Sequence, residues 1–232
     1  MHSTLFLVLA IIALAAQALT IYLFLFEPAL PYKIVRRPKI STEPDQCFPV
    51  LEALSGSPLY KKNDIQVLTN GDQYYEAELQ AIQQAKHSIH LEAYIFQKGK
   101  VTAKFLKVLT ERARAGVSVK MVCDALGNFL TPESYFKELK EAGGKMYWYH
   151  PMKLTLLPRM NNRTHRELII IDGKVGFIGG SGFADQWLYG TKGNPQWRDT
   201  MVKVEGEAVR GLQSTFAENW LESSGEIITC KD

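Results

Sequence analysis

An uncharged apolar run near the amino terminus constrains this chain more than any other feature. Residues 5–26 read LFLVLAIIALAAQALTIYLFLF and include no charged side chain. As a helix, about 22 residues span roughly 33 Å, which matches the hydrocarbon core of a bilayer. The preceding residues MHST carry no Lys or Arg, and the run continues past the small residues at 13–18, which argues against a cleaved signal peptide. We therefore predict that residues 1–27 form a transmembrane anchor.

A basic cluster follows the anchor and predicts its orientation. Its members are Lys33, Arg36, Arg37 and Lys39. The positive-inside rule assigns such a cluster to the cytoplasm, so we expect one membrane crossing with the remainder of the chain in the cytoplasm. The same residues also suit a solvated linker whose cations meet anionic lipid headgroups, and the two interpretations are compatible.

Composition separates the remainder of the chain into a linker, one domain and a tail. Residues 28–63 are rich in proline and show no sustained periodicity, which predicts a linker. Residues 64–222 are predicted to form one folded domain and residues 223–232 a tail. With 46% hydrophobic and 22% charged residues the chain is ordinary for a globular protein, and a net charge of +3 gives no strong electrostatic case for nucleic acid.

Short β-type runs alternate with helical patterns through the predicted domain. The runs cover residues 65–69, 88–96 and 117–123, and helices with apolar residues at spacings of three and four lie between them. A third helix is predicted over 132–142, followed by a strand over 145–149. Strand, helix and strand in short cycles favour parallel strands joined by crossover helices.

A hairpin and a final strand and helix complete the predicted domain. The runs at 168–171 and 175–179 flank Asp172-Gly173, a dipeptide typical of tight hairpin turns. A strand over 200–206 then precedes an amphipathic helix. We therefore predict an α/β fold with a mixed, mostly parallel sheet flanked by helices on both faces.

One segment of the hairpin carries a candidate catalytic histidine. The stretch THRELIIIDG, residues 164–173, places His165 at the start of a strand and Asp172 where the strand turns back. Alternation along a strand would put His165 and Glu167 on the same side. A lone histidine near a strand end is more often structural than catalytic, and Asp172 suits a turn as well as a catalytic role. From spacing alone both interpretations stay open.

The same segment resembles the motif of the phospholipase D superfamily, which reads His, any residue, Lys, four residues, Asp, with a Gly-Gly or Gly-Ser pair further on. Here His165, Asp172 and the pair Gly179-Gly180 meet that pattern. The stretches IHLEAYIF at 89–96 and WRDTMVKVEGEAVRGLQSTFAENW from residue 197 are similar to the amino-terminal half of bacterial cardiolipin synthases. The resemblance extends over about residues 64–221.

The resemblance implies a reaction and a set of site residues. In this superfamily the histidine attacks a phosphodiester phosphorus to give a phosphohistidine, and a neutral imidazole near pH 7 suits that role. By carry-over His165 is the nucleophile, Asp172 orients its imidazole, and Glu167 occupies the position of the motif lysine. The residues implied to contact the substrate or shape its pocket are Glu92, Tyr94, Gly179, Gly180 and Arg198. A buried polar cluster for Glu92 and a surface ion pair for Arg198 are the ordinary alternatives.

Two departures from the motif distinguish this chain. The motif lysine is replaced by Glu167, and a carboxylate facing a phosphodiester is repelled by roughly 1–4 kcal/mol at close range. The asparagine that follows the glycine pair in the family is replaced by Gly182. Either Glu167 is protonated or turned away, with Arg163, Arg166 or Lys174 supplying positive charge, or the motif is catalytically weakened.

The leading expectation from the resemblance is a phosphatidyltransferase of the cardiolipin synthase type in the cell inner membrane, with its catalytic domain in the cytoplasm. Its implied partners are a phospholipid substrate and the membrane. The second motif that the superfamily needs would come from a following half or from an identical subunit, and the ending GEIITCKD fits either source. The alternatives are a non-catalytic lipid-binding or dimerisation half and a nuclease of the same superfamily, although no nucleic acid partner is expected.

No metal and no cofactor is expected, because covalent histidine chemistry needs neither. Cys47, Cys123 and Cys230 are few, odd in number and widely spaced, which fits neither a zinc site nor a disulfide framework. We interpret them as free thiols in a reducing compartment.

Overall fold

The computed structural model describes residues 2–25, 43–151 and 161–229. Its α-helices are α1 (His2–Leu25), α2 (Pro44–Ser55), α3 (Asn70–Gln84), α4 (Lys100–Arg114), α5 (Lys137–Glu141) and α6 (Val209–Ser224). Its strands are β1 (Asn63–Thr69), β2 (Ser88–Ala93), β3 (Ser118–Asp124), β4 (Lys145–Tyr149), β5 (Glu167–Ile171), β6 (Val175–Gly179) and β7 (Thr200–Gly206). The predicted basic cluster at 33–39 and Cys230 lie outside the described residues, and Cys47 and Cys123 are free thiols.

Helix α1 is long and apolar enough to cross a membrane. The qualifying stretch covers Ser3–Leu23, and none of it is buried against other parts of the protein. It is the one such helix within the described ranges. Its length and composition suit the predicted anchor, which stays a prediction on these grounds.

The strands form one seven-stranded sheet in the order β1-β7-β6-β5-β2-β3-β4. The pairs β2–β3 and β3–β4 are parallel, which agrees with the predicted crossover helices. The other neighbours, β1–β7, β7–β6, β6–β5 and β5–β2, are antiparallel. The sheet is therefore mixed, as predicted, but the expectation of a mostly parallel sheet was wrong. Hairpins and a returning strand build one side of the sheet, and such connections give antiparallel pairs.

Helices cover both faces of the sheet, as predicted. Along β5 the side chains alternate between the two cores. Ile169 and Ile171 belong to the larger core, which also holds buried residues of α3 and α4 such as Tyr74 and Phe105. Leu168 and Ile170 belong to the second core under α6. The site described below lies at one edge of this three-layered arrangement.

Three element boundaries differ from the sequence prediction. The strand predicted over 88–96 ends at Ala93, and the backbone beyond it turns out of the sheet. The helix predicted over 132–142 is divided into a 3₁₀ turn, Glu133–Phe136, and the short helix α5. The predicted linker contains helix α2, in which Pro44 occupies the first turn, where a missing N–H costs nothing, and Gly56 ends the helix at a φ of 65°.

Trp220 provides a test of the second core. The side chain is fully buried, and its ring packs edge-on against Tyr147 with ring centroids 5.2 Å apart. Trp220→Ala should therefore lower the free energy of unfolding by about 3–5 kcal/mol, because it removes a large buried ring. On the same helix Leu221 is 47% exposed, and Leu221→Ala should cost less than about 1 kcal/mol. Urea unfolding in detergent micelles measures both values, and equal losses would contradict the packing of α6.

Candidate functional site

The sheet topology brings most of the predicted site residues to one edge. The parallel strands β2, β3 and β4 end at this edge, and the antiparallel strand β5 begins there. His165 directly precedes β5, and Tyr94 directly follows β2. Glu167 pairs with Gly179, and Gly179 pairs with Met201, so the glycine pair and the segment before β7 reach the same edge. Of the predicted residues, Asp172 and Lys174 lie at the opposite edge, in the turn between β5 and β6.

The imidazole of His165 is exposed and rests against one aromatic ring. Its centroid lies 4.4 Å from that of the Tyr94 ring, with 44° between the ring planes. Within the described residues neither ring nitrogen of His165 has a hydrogen bond. This tilted ring contact supports the imidazole and leaves its nitrogens open, which is what a nucleophile at a binding surface requires.

The residue that precedes the histidine is fixed by a buried polar cluster. Thr164 is 4% exposed, and its hydroxyl donates to the carboxyl group of Glu92. The side-chain amide of Asn219 on α6 donates to the same carboxyl oxygen at 2.6 Å. The Thr164 backbone N–H donates to Asp124 at the end of β3, at 3.2 Å. Two strands and α6 thereby clamp the backbone next to His165.

The sequence analysis missed Thr164 and Asn219. The available signal was weak: an asparagine interrupts the apolar face of α6, between Phe216 and Trp220. A polar residue at a core position of an amphipathic helix commonly has a buried partner. That partner, Glu92, is more than a hundred residues away along the chain, so local sequence patterns could not identify it.

Glu92 lies in the protein interior next to Thr164, and its carboxyl group does not reach the exposed site. The side chain is fully buried, and burial raises the pKa of its carboxyl group, while hydrogen bonds from Thr164 and Asn219 oppose that rise. Its position contradicts the prediction of direct substrate contact, because the carboxyl group faces Thr164 and α6. The alternative of a buried polar cluster describes what the structure shows.

Glu167 is turned into the protein. The side chain is 3% exposed, and its Oε1 accepts hydrogen bonds from the backbone N–H groups of Tyr94 and Ile95, each at 3.2 Å. Burial raises the pKa of this carboxyl group well above its usual range, although the two backbone hydrogen bonds oppose the rise. Thr164 and Arg166 both bond to α6, so strand alternation leaves His165 on the other side, which Glu167 shares. The two side chains differ in burial, because His165 is exposed and Glu167 is not.

Asp172 has a structural role at the far edge of the sheet. Its carboxylate accepts backbone hydrogen bonds from Lys86, His87 and Ser88 at 2.9, 2.7 and 2.8 Å. The residue itself has a φ of 52° in the turn between β5 and β6. The predicted role of orienting the His165 imidazole was therefore wrong, and the turn interpretation was right. Burial would raise the pKa of Asp172, but the three backbone donors outweigh burial and hold the pKa below its usual value.

The glycine pair allows the start of β7 to approach closely. A Cβ atom on Gly179 would lie 2.3 Å from Met201 Sδ and 2.4 Å from the Thr200 carbonyl oxygen. A Cβ atom on Gly180 would lie 2.7 Å from Asp199 Oδ1. Gly179 therefore requires glycine for packing, because a Cβ atom there would meet backbone, whereas a side chain at Gly180 would have to displace the Asp199 carboxylate.

Arg198 lies in the segment before β7, and that segment reaches the same edge as His165. Arg198 is exposed and, within the residues that the structure describes, makes neither a hydrogen bond nor an ion pair. Its neighbour Asp199 accepts instead from Trp187 Nε1 at 3.1 Å. Of the other cations considered, Arg163 lies 3.6 Å from Asp124, Arg166 reaches a carboxylate of α6 at 3.4 Å, and Lys174 belongs to the turn at the opposite edge.

Metal ligation was tested over the same described ranges. They contain no group of three or more His, Cys, Asp or Glu side chains arranged to hold a metal ion. The buried carboxyl groups near the site edge, those of Glu92 and Glu167, accept hydrogen bonds from protein groups, as described above.

Comparison with known proteins places the chain in a family. The family model described as "Cardiolipin synthase, PLD-like domain" matches residues 79–220. The chain therefore belongs to this family of phospholipase D-like domains. Cardiolipin synthase 1 of Bacillus anthracis is 38% identical over 181 residues, which cover 78% of this chain and 36% of that protein. The cardiolipin synthase of Geobacillus kaustophilus is 38% identical over 176 residues, covering 75% of this chain and 35% of that protein.

The chain thus spans about a third of the length of these curated relatives. Among solved structures, Nuc of Salmonella typhimurium, a phospholipase D family member, matches with a TM-score of 0.54 at 19% identity, covering 70% of this chain and 97% of that one. A phosphatidylserine synthase of Haemophilus influenzae matches with a TM-score of 0.53 at 15% identity, covering 68% of this chain and 36% of that one. At these identities the structures support the phospholipase D-like fold alone.

Asp172→Ala tests the structural role of the motif aspartate. Three backbone donors lose their acceptor, so we expect a loss of about 2–3 kcal/mol in the free energy of unfolding at neutral pH. The carboxyl group has a lower pKa in the folded chain than in the unfolded chain, so its stabilisation is complete above the ordinary aspartate pKa of about 4 and disappears as the pH falls further. The difference between wild type and variant, measured by urea unfolding across pH, should shrink in that window. A difference independent of pH would contradict the assignment.

Proposed function

We propose that this domain is the first half of a membrane-anchored phosphatidyltransferase of the cardiolipin synthase type, with His165 as its nucleophile. The observation that carries the proposal is the exposed imidazole of His165, held against Tyr94 at the edge where the strand ends meet. Family membership and the similarity to cardiolipin synthases support the lipid reaction. Because the chain covers about a third of those relatives, the activity of the whole enzyme is part of the proposal.

The proposed reaction has two displacements at phosphorus. The neutral imidazole of His165 attacks the phosphodiester of one phosphatidylglycerol-like lipid, the bond to the headgroup glycerol breaks, and glycerol leaves with a proton from a general acid. The hydroxyl group of a second such lipid then attacks the phosphohistidine, gives up its proton, and breaks the phosphorus–nitrogen bond. Two donor lipids thereby yield one cardiolipin and one glycerol, and His165 is regenerated.

Two side chains assist His165 in this proposal. Tyr94 supports the imidazole through a tilted ring contact, and Arg198 supplies positive charge to the phosphate in place of the motif lysine. The general acid comes from a second phospholipase D-like motif, in a following half or in an identical subunit. Without that second motif the first displacement has no proton donor for its leaving group.

Exposed apolar side chains at the same edge support a lipid substrate. The loop that follows β3 carries Phe129 and Leu130, which are 70% and 74% exposed. Large apolar groups beside a reaction centre favour contact with acyl chains or a membrane surface. The net charge of +3 is small for nucleic acid binding, so a nuclease is the weaker alternative.

The test of this proposal is the conversion of labelled phosphatidylglycerol in vesicles. The purified chain is reconstituted with the carboxyl-terminal half of a related cardiolipin synthase, and the products are separated by lipid chromatography. His165→Ala should abolish cardiolipin formation, a loss of at least about a thousandfold, because the covalent route is removed. His87→Ala is the matched control: His87 is exposed but lies at the opposite edge, and this variant should keep full activity.

Cardiolipin formation that persists in His165→Ala would contradict the proposal. It would favour the second candidate, a non-catalytic lipid-binding or dimerisation half. The observation behind that candidate is Glu167, whose carboxyl group is used inside the protein and supplies no cation to a phosphate. Equal activity in wild type and His165→Ala would assign the chemistry to the partner half alone.

We also propose that the domain lies on the cytoplasmic side of the cell inner membrane. The support is helix α1 together with the basic residues that follow it in sequence. In intact spheroplasts an epitope at the carboxyl terminus should be protected from added protease, and lysis should expose it. Digestion of the epitope in intact spheroplasts, with a cytoplasmic marker still protected, would reverse the proposed orientation.

A further inference from the structure

The replacement of the motif lysine by Glu167 creates contacts that a lysine could not make. The Glu167 carboxyl group accepts from two adjacent backbone N–H groups, those of Tyr94 and Ile95. An ammonium group has only donors and could not accept either bond. The Glu167 side chain is 3% exposed, so an apolar residue in its place would leave these N–H groups without their protein acceptor.

These two N–H groups belong to the turn that supports the candidate nucleophile. At Tyr94 the chain leaves β2, and the Tyr94 ring contacts His165 with centroids 4.4 Å apart. The Tyr94 carbonyl oxygen accepts from the Asn128 side chain at 2.8 Å. Glu167 therefore holds one side of the Tyr94 peptide units and Asn128 holds the other, and the ring between them is fixed against His165.

The second departure from the motif fits the first. A Cβ atom on Gly182 would lie 2.8 Å from Ile95 Cβ and 3.2 Å from Glu167 Oε1. Any side chain at 182 would therefore press on the turn or on the carboxyl group that holds it. The Tyr75 hydroxyl group on α3 also donates to the Gly182 carbonyl oxygen, at 2.5 Å, and this hydrogen bond fixes the backbone at Gly182. The two departures from the motif are therefore compatible: Gly182 leaves the space that the Glu167 carboxyl group and the Tyr94–Ile95 turn occupy.

We infer that Glu167 is a positioning residue, whose carboxyl group holds the Tyr94–Ile95 turn and through it the Tyr94 ring against His165. This inference deepens the proposed function and rests on it for the role of His165. In place of a cation that touches the phosphate, this half uses a buried acceptor that orients the nucleophile. The positive charge at the phosphate then has to come from elsewhere, and the proposed source is the exposed Arg198.

A second buried carboxyl group provides a matched control. Glu78 on α3 is 1% exposed, and within the described residues neither of its carboxyl oxygens has a hydrogen-bond partner. Burial raises the pKa of Glu78 well above its usual range, and its charge acts on Glu167 in the same direction. Glu78 thus shares the burial of Glu167 but does not bond to the Tyr94–Ile95 turn.

The test measures the chemical reactivity of His165, which needs no catalysis. The full chain in detergent micelles is treated with diethyl pyrocarbonate at neutral pH, and labelling of His165 is followed by peptide mass mapping, with exposed His87 as internal reference. Glu167→Leu keeps the volume but removes the acceptor, and should raise the His165 labelling rate at least about threefold as the aromatic contact loosens. Glu167→Gln keeps an acceptor oxygen and should restore the wild-type rate.

Glu78→Leu removes an equally buried carboxyl group and should leave the His165 rate unchanged. A second arm covers the case in which Glu167→Leu does not fold: Tyr94→Leu should raise the rate as much, and Tyr94→Phe should not, because the ring and not the hydroxyl group makes the contact. The inference is overturned if Glu167→Leu is labelled at the wild-type rate, if Glu167→Gln reacts as fast as Glu167→Leu, or if Glu78→Leu gives the same increase.

The kinetics of lipid transfer, measured with a second half in trans, provide an independent test. Glu167→Leu should lower kcat with little change in KM, because the site loses orientation of the nucleophile and not lipid contact. If the wild-type chain shows no transfer, the proposed function fails, while the labelling comparison still decides whether Glu167 positions His165.

Discussion

The antiparallel pairing of β2 with β5 determines where the candidate residues lie. Glu92 lies opposite Leu168 in this pairing, so the end of β2 and the start of β5 meet at one edge of the sheet. Tyr94 and His165 come together there, although about seventy residues separate them in sequence. The same pairing carries Asp172 to the other edge, where it accepts from backbone N–H groups at the start of β2. The β2–β5 pairing therefore places His165 and Asp172 at opposite edges of the sheet.

Two buried carboxyl groups lie beside this site, and burial of such groups costs free energy. Glu92 and Glu167 each place one oxygen on strong donors and leave the other buried without a partner in the described part of the chain. An unpaired buried carboxylate is expensive, and burial raises the pKa of both carboxyl groups. Clusters of this kind reduce stability but define one backbone arrangement. Here the arrangement that they define surrounds His165.

Much of the fold was predictable, because each element has a local signal. The spacing of Tyr75 and Ile82 predicted α3, and the Asp172-Gly173 turn predicted the β5–β6 hairpin. The strand order was not predictable, because β1 and β7 are distant in sequence and no local pattern indicates that they pair. The sheet therefore proved more antiparallel than the strand and helix cycles suggested.

The candidate site was predictable in part. The resemblance to a known motif identified His165, and the fold places it at an exposed edge. Motif spacing could not show which way Glu167 turns, because that depends on two N–H groups exposed where β2 ends early. Nor could it show that Thr164 is clamped by Asn219 through Glu92, since those three side chains meet only in the folded chain.

The most direct test of the account is to trap the covalent intermediate. The chain, with a second half in trans, is mixed with labelled phosphatidylglycerol, denatured within one turnover under conditions that preserve phosphohistidine, and digested for mass spectrometry. The account predicts a phosphatidyl adduct on the peptide that contains His165. Product formation with the adduct on another residue, and His165 unmodified, would contradict it.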